Sequence, residues 1–150
     1  MKQEPKFDYD AELGTTICEY EDKHGRWFVG MAVCAPEDED VKSEFTGYSI
    51  AEYKAKIEYA KARKIDMLMR YEALRDLYFS MKHSSHFNPK SYEGRRIKKH
   101  YMRALVNLKE ARATYQELQA GLRKYIEVKD KIANEYRTKV TKLDNEEKNS

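Results

Sequence analysis

The sequence predicts an α+β protein, mostly α, in which an N-terminal β-hairpin precedes a long antiparallel helical hairpin of coiled-coil character. Charged residues make up 37% of the 150, and there are only 6 Gly and 3 Pro, as is typical of long surface-exposed helices. Strand-like segments flank a polar turn within residues 15–34, and apolar residues recur at helical spacing from residue 50 onward. The predicted organisation is a β-hairpin region with an acidic connector over residues 1–48 and a helical hairpin over residues 49–150, turning at 82–88. Together they are expected to form one compact unit.

The hairpin prediction rests on two β-branched and aromatic segments, TTICEY and RWFVGMAVC, on either side of the polar sequence EDKHG. A register that pairs Tyr20 with Arg26 follows if the whole polar sequence is the turn. Gly30 then allows close backbone approach or a bulge. The sequence also allows a third strand near residues 6–10. The opposite face is apolar and is expected to need cover, because its side chains are Trp27, Val29 and Met31.

The first helix is predicted to begin at a capping box, in which Ser49 caps the helix and Glu52 reaches back to the Ser49 amide. Gly47 is expected to end whatever precedes it. Apolar and tyrosine side chains then alternate at spacings of three and four as far as Met81, as in a heptad seam. Glu37–Asp40, in the connector, is interpreted as a turn or a helix start, with cation binding or phosphate mimicry as less favoured uses.

The second helix is predicted to begin at Pro89, with Asn88 as its N-cap, and to continue to about Leu143. Gly121 is a plausible kink. Beyond it the apolar stripe extends past the end of the first helix, so either the β-hairpin or a second copy of the chain is expected to cover it, and self-association is the favoured alternative. The residues predicted to mediate that homo-oligomerisation are Leu122, Tyr125, Ile132, Tyr136 and Val140.

Positive charge is concentrated around the predicted turn between the helices. Residues 1–45 carry twelve acids and five bases, whereas residues 46–150 carry fourteen acids and twenty-four bases. Cations with interleaved aromatic rings are suited to binding phosphates and exposed bases. The alternative is that these residues form the solvated face of a helix and bind nothing. The predicted nucleic-acid- or partner-binding residues are Lys82, His83, His86, Lys90, Tyr92, Arg95, Arg96, Lys98, Lys99 and Arg103.

No catalytic signature is found in the sequence. There is no Gly-rich phosphate loop, GxSxG or HExxH motif. His83, His86 and His100 could form a metal set or supply a general base, but no Cys or carboxylate pair accompanies them at a ligand spacing. Cys18 and Cys34 are interpreted as unpaired, with a buried thiol the expected role. We therefore expect no enzymatic activity, no catalytic residue, no metal and no cofactor.

A set of small, acidic and helix-start residues in the first two thirds of the chain gives the sequence a recognisable pattern. They are Gly30, Ala32, Cys34, Pro36, Glu37, Asp38, Asp40, Ser43, Gly47, Ile50, Ala51, Glu52, Phe87, Asn88, Pro89 and Lys90. In these residues the chain resembles small uncharacterised proteins encoded by bacteriophages and prophages of Gram-positive bacteria. The resemblance implies an accessory protein, either an inhibitor of host defence or a DNA-metabolism or regulatory factor, and no catalytic residues.

The expected function is that of a non-enzymatic phage accessory binding protein, such as an inhibitor of a host nuclease or defence complex. It would contact nucleic acid or an acidic protein surface through the basic turn. The alternative is an assembly protein whose long helices mediate oligomerisation. No apolar signal peptide or membrane span is found in the sequence, so the expected location is the cytoplasm of the bacterial host, away from the membrane.

Overall fold

A computed structural model describes residues 4–34 and 44–150 of the chain. Three strands, β1 (Lys6–Asp10), β2 (Thr15–Glu21) and β3 (Trp27–Val33), form an antiparallel sheet in the order β1-β2-β3. Helices α1 (Glu44–Lys82) and α2 (Tyr92–Asn149) follow. The α+β, mostly helical prediction is confirmed. The predicted hairpin forms two of the three strands of the sheet, β2 and β3, and β1 adds the third. Coiled-coil packing of the helices stays a prediction.

The chain divides into two compact units. The first combines the residues up to Glu58 with those from Leu118 onward, so it holds the sheet, the beginning of α1 and the C-terminal part of α2. The second covers Tyr59–Glu117, which includes the end of α1, the connecting loop and the beginning of α2. Within the second unit α1 and α2 run antiparallel, because the Lys64 ammonium lies over the Tyr115 ring while Tyr78 stacks on Tyr101.

The predicted hairpin register is wrong by two residues, because Tyr20 pairs with Phe28 and not with Arg26. The turn is shorter than the polar sequence suggests. The amide of Asp22 donates to the Arg26 carbonyl oxygen at 2.9 Å, and Gly25 takes a φ of +77° inside this turn. A buried carboxylate closes it, since Asp22 Oδ1 accepts from the amides of His24 and Arg26 at 2.8 and 2.9 Å.

The charge state of Asp22 is coupled to this turn. Burial alone would raise the pKa of its carboxyl group, but the hydrogen bonds from the amide and guanidinium of Arg26 and from the His24 amide lower it overall. The ionised carboxylate therefore belongs to the folded turn. Its contribution to stability is present above the usual carboxyl pKa and is lost as the pH falls.

The sheet packs on α1 through its face of small residues. Cys18, Ala32, Ala51 and Ala55 form the buried cluster, with Ile50 packed against it. Gly30 lies so close to α1 that a Cβ atom there would overlap the Ala51 carbonyl oxygen and the Ala55 amide. The close backbone approach expected at Gly30 is confirmed. Helix α1 covers the face of the sheet opposite to the one expected, because Trp27, Val29 and Met31 point away from this cluster and are half exposed.

Helix α1 begins at least five residues before the predicted capping box. Gly47 and Ser49 are interior helical residues, and Glu52 pairs with Lys56 at 3.0 Å and does not reach back to a cap. Gly47 does not end a segment. A Cβ atom at Gly47 would overlap the buried Thr16 hydroxyl of β2, so the glycine lets this helix lie against the sheet. The acidic run 37–40 lies outside the described residues.

Cys18 is expected to resist alkylation in the folded protein, while Cys34 reacts. The Cys18 side chain is fully buried and that of Cys34 is half-buried, with neither in a disulfide. Burial raises the pKa of the Cys18 thiol to about 11, so the reactive thiolate is scarce at pH 8. Iodoacetamide labelling followed by peptide mass spectrometry measures both sites, with denatured protein as the control. Equal labelling of the two cysteines under native conditions would contradict the packing of β2 on α1.

The same raised pKa predicts a loss of stability in alkali. Between the usual thiol pKa and about 11 the unfolded chain binds fewer protons at this site than the folded chain, so the free energy of unfolding falls as the pH rises. The Cys18→Ala variant lacks this component of the pH dependence and serves as its control.

Candidate functional site

The loop between the helices and the first three turns of α2 carry the densest positive charge in the chain. We call this segment, residues 82–103, the basic tip. It holds seven Lys or Arg residues, three histidines and one acid, Glu93. All ten of the predicted binding residues lie within it and all ten are exposed. The structure thus brings the predicted residues together on one continuous segment of the second unit.

A cluster of aromatic rings from α1, α2 and the connecting loop packs at the base of the basic tip, and we call it the ring cluster. Tyr101 of α2 stacks between two rings of α1, with centroid distances of 5.6 Å to Tyr71 and 5.5 Å to Tyr78. Phe87 of the loop meets Tyr78 edge-on at 6.4 Å. The Tyr71–Tyr101 hydroxyl contact, followed by burial, raises the pKa of the Tyr101 phenol. These rings anchor both ends of the loop, and tyrosine therefore acts in packing here, as the sequence predicted.

The N-terminus of α2 lies three residues after the predicted position. Asn88 makes a turn in which its Oδ1 accepts from the Lys90 amide at 2.9 Å. Ser91 is the N-cap, since its hydroxyl accepts from the Gly94 amide at 3.1 Å and donates to the Asn88 carbonyl oxygen at 2.6 Å. Ser91 was missed for two reasons. Asn-Pro is the stronger sequence signal for a helix start, and the residue three positions after Ser91 is Gly94, where a capping box would have an acid.

The helical phase of α2 separates its cations from the ring cluster. Gly94, Ala104 and Leu108 are buried on the inner side of the helix. Arg95, Lys99 and Arg103 follow one another at intervals of four on the outer side, and Arg96 lies beside them. Tyr92 is 72% exposed at the start of the same side. The outer side therefore presents a row of cations with an aromatic ring at its end.

These cations are not neutralised by the described part of the chain. The Lys and Arg side chains of the basic tip form no ion pair with any residue of 4–34 or 44–150. Like charges held a few ångströms apart on one helix face repel each other, and an anion bound between them relieves this repulsion. Chemically, the tip can therefore bind polyanions.

The three histidines do not come together. His83, His86 and His100 are all exposed, and no group of three His, Cys, Asp or Glu side chains suited to a metal ion occurs among the described residues.

Comparison with protein-family models, curated proteins and solved structures finds no match for this chain. The resemblance to phage-encoded proteins therefore stays a prediction. Within the described ranges, neither helix combines the length and apolar character of a membrane span.

The predicted oligomerisation residues fall into two groups. Leu122 and Tyr125 are half-buried within the first unit, where the Tyr125 ring lies 6.1 Å from that of Tyr53. Ile132, Tyr136 and Val140 are exposed farther along α2. The helix runs through Gly121, whose Cα faces the Tyr53 ring, and it continues past Leu143 to Asn149.

Proposed function

We propose that this protein is a non-catalytic binding protein that holds nucleic-acid phosphates at the basic tip. The observation that carries the proposal is the set of seven exposed Lys and Arg side chains, none of them ion-paired within the described chain. Phosphate contacts of this kind supply most of the sequence-independent affinity for nucleic acids. They require mobile cations at a regular spacing along a rigid support, and α2 supplies that support.

Tyr92 and the loop histidines give the tip a second mode of contact. An exposed ring beside cations can stack on an unpaired base, a contact that tolerates any sequence. The arrangement therefore favours single-stranded or distorted nucleic acid over a fully stacked duplex. An acidic protein surface would satisfy the cations but would not use the ring in this way.

The expected result of a salt titration is a steep loss of affinity. Five to seven phosphate contacts predict a slope of log affinity against log salt between roughly −3 and −6. Fluorescence anisotropy with a labelled oligonucleotide, as a single strand and as a duplex, measures this slope between about 50 and 300 mM NaCl. Binding that is absent at low salt, or that does not change with salt, would contradict the proposal.

The narrower proposal is that the protein is a phage accessory factor that inhibits a host nuclease or defence complex in the bacterial cytoplasm. The sequence resemblance alone supports this part. In such a role the basic tip would compete for the nucleic acid, or would occupy an acidic surface of the host complex, without any chemistry of its own.

A second candidate, an assembly protein built on the helices, is favoured by the exposed apolar side chains of α2. Ile132, Tyr136 and Leu143 are each more than half exposed at spacings of four and seven. Such a stripe is typical of a helix with a partner. This candidate predicts stable complexes and indifference to charge changes at the basic tip.

A further inference from the structure

The outward face of the sheet is apolar along β3 and acidic beside it. Trp27, Val29 and Met31 are each 50% exposed and Val33 is 62% exposed, so the whole outward side of this edge strand is open. On β2, Glu19 and Glu21 lie directly opposite Val29 and Trp27. We call these six residues the sheet face. The Lys6 ammonium lies 5.6 Å from the Trp27 ring, and it is the one cation that the adjoining strand places beside the acids.

Residues 132–143 of α2 have the opposite balance of charge, with three bases against one acid. Ile132, Tyr136, Val140 and Leu143 form an exposed apolar row, and Lys139 and Lys142 lie within the same turns. We call these six residues the helix stripe. Neither lysine forms an ion pair with a residue that the structure describes. Both the sheet face and the helix stripe therefore remain uncovered by the described part of the chain that carries them.

The charge balance around the two surfaces is complementary. Residues 4–34 carry seven acids and three bases, whereas residues 123–143 carry seven bases and three acids. Each surface is apolar at its centre and charged at its margin, as is usual for protein interfaces. Like surfaces repel, so neither sheet against sheet nor stripe against stripe is favoured.

We infer that the sheet face of one copy of this chain packs on the helix stripe of a second copy, and that the contact is exchanged in both directions. A contact between two different surfaces otherwise propagates into open chains of molecules, and reciprocal exchange closes it at two copies. Exchange also doubles the apolar area covered for each dimer. The inference does not depend on nucleic-acid binding at the basic tip.

Charge reversal on each side tests the inference. The sheet variant carries Glu19→Lys and Glu21→Lys, and the helix variant carries Lys139→Glu and Lys142→Glu. The wild-type chain is expected to have twice the 17.8 kDa mass of one copy in low-salt analytical ultracentrifugation. Each variant alone is expected to sediment as a monomer, because its own two surfaces now have like charges. Circular dichroism at 222 nm confirms that both remain folded.

An equimolar mixture of the two variants is expected to restore the dimer, since every contact in the mixed pair again joins opposite charges. A wild-type monomer would overturn the inference, as would open-ended assemblies. If the helix variant alone remains a dimer, the sheets pack on each other. If the sheet variant alone remains a dimer, the helices do. A mixture that stays monomeric would show that the two surfaces do not meet.

Discussion

Replacing Gly30 with alanine is expected to destabilise the protein by roughly 3 kcal/mol or more. The reason is steric, because the added Cβ atom would overlap the Ala51 carbonyl oxygen and the Ala55 amide of α1. Backbone atoms of a helix interior cannot rotate away as a side chain can. The sheet would have to move off the helix, and the buried cluster of Cys18, Ala32, Ala51 and Ala55 would open. Urea unfolding followed by circular dichroism measures the loss.

The sign of this change is diagnostic. In a strand with open space on that side, Gly→Ala stabilises a protein by roughly 0.5–1 kcal/mol, since alanine loses less backbone entropy on folding. A matched control is Val29→Ala, the neighbouring residue on the sheet face, which is expected to cost less than about 1 kcal/mol at a dilute protein concentration. An alanine at position 30 that leaves stability unchanged would contradict the contact between β3 and α1.

Reversing four cations of the basic tip is expected to lower the affinity for nucleic acid by a factor of roughly 100 or more in low salt. The changes remove phosphate contacts and place like charge against the phosphates. They do not touch the core, because the four side chains are exposed and lie on the side of α2 away from the ring cluster or at its margin. The residues changed to Glu are Arg95, Arg96, Lys98 and Lys99.

A second four-residue variant separates the effect of position from the effect of net charge. It changes the net charge by the same amount at exposed cations elsewhere on α2, and it is expected to bind within a few-fold of the wild-type chain. The control residues changed to Glu are Lys109, Arg112, Arg123 and Lys124. Equal losses in the two variants would indicate a general charge effect, and wild-type binding by the tip variant would remove the site assignment.

Helix formation and strand formation were predictable from local sequence patterns. Alternation identified β2 and β3, and the spacing of apolar residues identified both helices and the loop between them. The first helix ends within one residue of the predicted Met81, because the pattern itself stops there. The basic tip was equally visible, since charge density and exposure on a loop depend little on tertiary packing.

The side of the sheet that α1 covers was decided by tertiary packing. Hydrophobicity favours burial of Trp27, Val29 and Met31, yet the helix lies on Gly30, Ala32 and Cys18. Small side chains allow the two backbones to approach closely, and nothing in a single strand reveals that a helix with Gly47, Ala51 and Ala55 on one side will use this freedom.

Local sequence patterns specify the types and approximate limits of the helices and strands and the position of the positive charge, because these features depend on neighbours close in the chain. The start of α1 depends on the tertiary structure, whereas the hairpin turn and the N-cap of α2 depend on short-range side-chain contacts that the hydrophobic pattern does not reveal. Asp22 closes its turn with an amide four residues away and Ser91 caps α2 with an amide three residues away, whereas Gly47 lets α1 lie against β2. In each case a specific contact outweighs the average conformational preference from which a sequence pattern is read.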